Sequence, residues 1–249
     1  MELNKKIQPM KKLILLISVF TLINGLNAQD EKTWYNLAIK GGYGNCIFFN
    51  ANYSSDVAVD YNYMSPSFFY GLDAGVVFPG GFSLGLEYSI QKMGQEYDIV
   101  PVLGSAYTKR INVYSNDFLF LIRAFDEGFG YFEIGPKLSM VKKVTDKNSD
   151  NSLSYVNSGN YGEYYNDMFI SIMFGFGIPV YHGDLFDFTI GLRGGYSISN
   201  LMLEEKAPIN DLGYPVLAPD SYATTNPFFA QLTMRFDWHI GIKNTKSSW

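Results

Sequence analysis

Cysteine occurs once and histidine twice in this 249-residue chain, and only 17% of its residues are charged. A lone cysteine, Cys46, cannot close an internal disulfide, and it cannot build a cysteine-rich metal site. With only His182 and His239 present, there are few candidates for a histidine general base. No GxxxxGK[ST] motif occurs, and GGYGN from Gly41 lacks the lysine a phosphate cradle requires. The apolar run from Leu13 to Ile23 falls well short of the ~20 residues a membrane-spanning helix needs. Basic charge is also scarce, with 19 Lys and Arg against 24 Asp and Glu and a net charge of −5. That balance disfavours nucleic acid as a partner.

What the chain does have begins with MKKLILLISVFTLINGLNAQ, Met10 to Gln29: two lysines, an apolar stretch, then small and polar residues. This is the layout of a secretory signal peptide cleaved after Ala28, with Met1 or Met10 as the start. Residues 1–28 are therefore expected to be a signal peptide, and residues 29–249 one exported domain. Removing Lys5, Lys6, Lys11, Lys12 and Glu2 leaves 15 basic and 23 acidic residues, a net charge of −8.

The exported part alternates. In FDFTIGLRGGYSIS, Phe186 to Ser199, Phe186, Phe188, Ile190, Leu192, Tyr196 and Ile198 interleave with Asp187, Thr189, Gly191, Arg193, Gly195 and Ser197. A strict period of two is a β-strand with one apolar and one polar face. Similar patterns run through 35–48, 68–78, 82–91, 109–125, 132–140, 168–180 and 228–240, which makes eight strands. Three connections are short and rich in turn formers: Pro79-Gly80-Gly81, Asp126-Glu127-Gly128 and His182-Gly183-Asp184. The other four, roughly 49–66, 98–108, 144–166 and 201–226, are long. Long strands joined by short turns at one end and long loops at the other describe an all-β, eight-stranded antiparallel up-and-down transmembrane barrel. Its apolar set faces lipid and its polar set faces the lumen. A water-soluble barrel of lipocalin type would reverse the two sets. The bulk of the apolar set and the glycines in the other set oppose that, because small residues suit a narrow barrel interior. Two aromatic bands are expected at the membrane interfaces. Trp34, Tyr35, Phe78, Phe82, Phe129, Tyr131, Tyr181 and Trp238 form the turn-end band, and Phe68, Tyr70, Tyr97, Tyr107, Tyr196 and Phe228 the loop-end band.

Several segments resemble the small PorT-like outer-membrane β-barrels of Bacteroidetes. They are LAIKGGYGN, FYGLDAGVVF followed by FSLGLEYSIQKMG, YFEIGPKLSM and FTIGLRGGYSISN, with an aromatic-rich final strand. The resemblance covers the mature chain and implies architecture and an outer-membrane location, with no chemistry attached.

The inward set carries Lys40, Arg123, Lys137, Arg193 and Arg235 against Asp73, Glu87, Asp117, Glu133, Asp187 and Asp237, with His239 near the turn end. Such nearly balanced charges, shielded from water, are tolerable only when paired, so a salt-bridge network across the lumen is expected. Asp237 and His239 could form the base of a hydrolase, which makes a lipid- or peptide-processing enzyme the rival reading. A small pore is the third. DKNSDN, Asp146 to Asn151, resembles the start of a calcium loop but has Asn151 and Asn157 where Gly and Glu belong. A solvated loop is the simpler reading. SLSYVNSGNYGEYYND has the Tyr, Ser, Gly and Asn content of adaptable contact surfaces. The expected role is a membrane scaffold presenting loops, or a small subunit of an envelope assembly. Its expected partners are outer-membrane lipid and other envelope proteins, and no cofactor, metal or catalytic residue is expected.

Overall fold

The computed structural model describes residues 33–50, 54, 59–100, 105–126, 130–149, 159–160, 165–183, 185–203 and 224–240. The signal-peptide region 1–28 lies outside the described residues, as does most of the stretch 152–167.

Alternating residues commit the chain to extended backbone, and the register closes it on itself. β1 (Trp34–Asn50) pairs antiparallel with β3 (Pro66–Phe78) on one side and with β10 (Thr225–Ile240) on the other. From β3 the ladder continues through β4 (Phe82–Ile99), β5 (Tyr107–Asp126) and β6 (Gly130–Asn148). It then passes through β8 (Met168–His182) and β9 (Phe186–Ser197) and returns to β10. Each of these eight strands has a partner on both edges, so the ring is an eight-stranded antiparallel up-and-down barrel with no free edge. Two short strands add to it at the loop end: β2 (Val59–Asn62) beside β4, and β7 (Gly159–Asn160) beside β6. At the opposite end, the turn between Phe78 and Phe82 is tight because Gly80 and Gly81 both take positive φ, +82° and +75°.

Three strands run past the ends expected from the alternation. β4 continues to Ile99, β5 begins at Tyr107 and β6 reaches Asn148. The loop expected at roughly 98–108 lies between Ile99 and Tyr107, close to its expected ends. The reach of β6 corrects the reading of Asp146, Lys147 and Asn148 as part of a loop: they pair with Ile111, Arg110 and Lys109. Backbone held in that ladder cannot curl around a cation.

Burial is inverted relative to a water-soluble protein. Ser171 is fully buried while its neighbour Ile172 is 40% exposed, and the same alternation runs from Met168 to Ile178. Through the middle of the ring the buried set is rich in Lys, Arg, Asp, Glu, Ser and Gln, and the exposed set is Leu, Ile, Phe, Met and Tyr. A β-bulge between Tyr114 and Ser115 of β5 leaves Lys142 of β6 as the extra residue. Because side chains alternate with a period of two, that single residue re-phases the rest of β6. Val144 therefore turns inward, and Lys143 and Lys147 turn outward.

Candidate functional site

The barrel interior has three zones. The middle one is ionic and draws charged side chains from seven of the eight ring strands. Arg193 of β9 donates a two-pronged pair of hydrogen bonds to Glu87 of β4, from Nη1 to Oε1 at 2.7 Å and from Nη2 to Oε2 at 2.6 Å. The same guanidinium reaches Glu133 Oε1 of β6 at 3.1 Å. Glu133 is the hub. It also accepts from Lys40 of β1 at 2.7 and 3.0 Å, and from Arg123 Nε of β5 at 3.1 Å. Arg123 bonds in addition to Asp73 of β3. Arg235 of β10 lies 3.4 Å from Asp73 and 2.8 Å from Asp237. Toward the loop end, Lys137 pairs with Asp117 at 2.9 Å, bonds to Gln91 and sits over the Phe229 ring. These groups are all buried. Desolvating so many ions is costly, and only their dense mutual hydrogen bonding offsets it.

The glycines of the inward set make this packing possible. A Cβ on Gly85 would run into the Arg123 guanidinium, and one on Gly175 would press on Glu133. β8 places Gly175 and Gly177 rather than charges at this level.

Ten of the twelve expected lumen residues, all but Asp187 and His239, meet in this zone. Those two lie at the turn end: His239 Nε2 is 2.9 Å from Asp187 Oδ2, and His182 Nδ1 is 2.6 Å from Asp187 Oδ1. Trp34 stacks edge-on against His239. Asp237 instead accepts a hydrogen bond from Asn36 at 2.7 Å and pairs with Arg235. The structure thus corrects the pairing of Asp237 with His239 that an enzyme reading would use. The reason is register: Asp187 stands directly opposite Asp237 on the neighbouring strand, and it is the nearer acceptor for His239.

The third zone, at the loop end, is apolar. Cys46, Phe48, Met93, Tyr97, Ile99, Tyr107, Ile111, Val113, Val144, Phe169 and Phe229 form one buried cluster. This corrects the expectation that the whole inward face is polar. Tyr97 and Tyr107 belong to this core rather than to an interfacial band, and Tyr131 also points inward, under Arg235. The signal for this zone was present in β4. Its apolar residues occupy even positions from Phe82 to Ile90, then odd positions at Met93, Tyr97 and Ile99.

No family model matches the chain, and no curated protein matches it. Among solved structures it is similar to Neisserial surface protein A, at 10% identity and a TM-score of 0.34, covering 84% of this chain and 99% of that one. It is also similar to Ail, the attachment invasion locus protein of Yersinia pestis, at 13% identity and a TM-score of 0.38, covering 80% and 97%. A third is the outer-membrane protein OprG from Pseudomonas aeruginosa, at 8% identity and 0.37, covering 85% and 97%. At this level of similarity, the fold assignment rests on the strand register itself.

Proposed function

We propose that the chain is an integral outer-membrane β-barrel of PorT-like type, closed to solutes, that holds its loop-end structure at the cell surface as a scaffold or as a small subunit of an envelope assembly. The observation that carries this reading is the change of phase along the strands. From Phe82 to Ile90 the apolar residues of β4 point out and the polar ones in; beyond Lys92 the apolar residues point in and Lys92, Glu96 and Asp98 point out. A barrel in water would keep its apolar residues inside throughout. A barrel that leaves a bilayer part-way must invert where it meets water. From Phe82 to Lys92 is ten residues. At about 3.4 Å per residue and a tilt of about 40° they rise roughly 26 Å, matching the ~25 Å apolar band of outer-membrane barrels.

The ionic middle zone and the apolar loop-end zone both oppose a pore. An eight-stranded barrel has an interior just wide enough for side chains to fill it.

The purified chain is expected to show heat-modifiable migration, with the folded barrel running at a different apparent mass until it is boiled in detergent. The closed ring leaves no edge at which opening could start, so detergent alone should not unfold it. Recovery of the exported chain in the soluble periplasmic fraction, with no heat shift, would contradict the membrane reading.

A further inference from the structure

Among the described residues, every lysine and arginine is either buried in the barrel or belongs to one outward patch. The buried set is Lys40, Lys109, Arg123, Lys137, Arg193 and Arg235. The patch is Lys92, Arg110, Lys142, Lys143 and Lys147. The register makes it contiguous. Lys92 stands opposite Tyr114, which stands opposite Lys143, and Glu96 stands opposite Arg110, which stands opposite Lys147. The bulge at Lys142 is what turns Lys143 and Lys147 to this face. Glu96 pairs with Arg110, so five cations face one nearby carboxylate, with Asp98 and Asp60 farther out. Like charges gathered this closely on a chain of net charge −5 call for an anion to neutralise them.

The position of the patch says which kind of anion. Lys92 and the Lys142–Lys143 pair are the first outward residues beyond Ile90 and Met140, where the apolar band ends at the loop end of the barrel. Lys92 lies over the Phe68 and Tyr114 rings, 5.9 and 6.0 Å from their centroids, an aromatic setting suited to a membrane interface. Toward the turn end from it, across β1, β3, β4 and β5, the lipid-facing surface is hollowed by a groove of about 300 Å³ lined by the outward Leu37, Leu72, Ala74, Leu86, Tyr88 and Phe118, with the inward Asp73, Glu87 and Leu119 at its floor. Tyr88 and Phe118, tilted rings with centroids 5.1 Å apart, sit two outward positions below Lys92 and Tyr114.

We infer that the face running from β3 to β6 binds a phosphorylated lipid of the outer leaflet, its phosphates held by Lys92, Arg110, Lys143 and Lys147 on β4 to β6 and one acyl chain lying in the groove that β3, β4 and β5 form beneath. This inference rests on the membrane reading above. The cations supply the phosphate contacts from side chains already at head-group height, and the groove at Ala74 adds apolar contact that a free anion could not use.

The test is native mass spectrometry of the full exported chain in neutral detergent, titrated separately with diphosphorylated lipid A, an uncharged glycolipid and inorganic phosphate. The wild type is expected to retain diphosphorylated lipid A in preference to the uncharged lipid and to bind inorganic phosphate far more weakly. Each cation changed to glutamine should weaken lipid A binding by roughly fivefold, so the combined Lys92→Gln, Arg110→Gln, Lys143→Gln, Lys147→Gln variant should lose several hundredfold. Lys143→Arg with Lys147→Arg should bind like the wild type, and Ala74→Phe should weaken lipid binding without changing inorganic phosphate. Equal binding of charged and uncharged lipids would overturn the inference, as would undiminished binding in the glutamine variant or phosphate binding as tight as lipid. The heat shift of each variant is read in parallel. A chain that inserts and shows the shift but has no lipid preference defeats only this inference, whereas a chain without the shift defeats the membrane reading.

Discussion

Arg193→Ala is expected to destabilise the barrel by about 3–5 kcal/mol, read as a lower urea midpoint for unfolding from detergent or vesicles. Arg193 is buried, holds both oxygens of Glu87, contacts Glu133 and lies over the Phe69 ring at 4.7 Å. Among the described residues, truncation leaves Glu87 with only Lys40 as an ion-pair partner, at 3.5 Å. Glu133 still has Lys40 and Arg123. The cost is therefore mainly that of one under-compensated carboxylate in a site shielded from bulk water. Two controls separate this from loss of packing. Arg193→Lys keeps the charge but cannot reproduce the two-pronged geometry, so it should fall between wild type and alanine. Arg193→Met combined with Glu87→Gln removes both charges and should cost less than Arg193→Ala alone, because no carboxylate is stranded. A hydrated lumen would behave differently: its wall charges would be solvated, and Arg193→Ala would cost well under about 1 kcal/mol.

The second large effect separates the two faces of one strand. Ile172 points outward, opposite Pro136, which is midway along the outward positions from Phe132 to Met140. A charge there meets the centre of the apolar band, and Ile172→Arg should cost roughly 2–4 kcal/mol. Ser171, one residue away, is fully buried in the lumen opposite Lys137. Ser171→Arg should fail for a different reason: it adds bulk and a like charge beside Lys137. Changing Lys137 to Met should therefore relieve part of the Ser171→Arg defect, because the new guanidinium can take over Asp117, and should give Ile172→Arg no relief. Refolding yield into vesicles, scored by the heat shift, measures both. Relief of Ile172→Arg by the Lys137 change would mean the faces are assigned the wrong way round.

Alternation made the middle of each strand legible. Met168 to Ile178 and Phe228 to Trp238 could be divided into two faces from the sequence, and the structure places them so. The inward charges were legible for the same reason, but their partners were not. Glu133 gathers Lys40, Arg123 and Arg193 from three other strands, a meeting set by shear and register around the ring, which no local pattern encodes. The strand ends were misread where the solvent changes. Once β4 passes Lys92, its exterior is polar and its interior apolar, so a rule that assigns apolar residues to the outside puts Tyr97 on the wrong face. The bulge at Lys142 was hidden because VKKVTDK has no strong period of its own; pairing with Tyr114 and Asn112 fixes the phase. For His239, the sequence offered Asp237 two residues away, but residues i and i+2 of a strand point the same way without meeting as cross-strand neighbours do. Asp187 on the adjacent strand took that place.

The proposed closed scaffold is tested most directly by planar-bilayer recording of the purified, folded wild-type chain. Glu133, Glu87 and their cations cross the lumen, and Phe69, Phe229 and the apolar cluster fill it above them. The expected record is a flat baseline across the voltage range, in preparations whose heat shift shows that the barrel has folded and inserted. Steady, reproducible single-channel steps with an ion selectivity altered by Arg193→Ala would contradict a filled interior and establish a pore in its place.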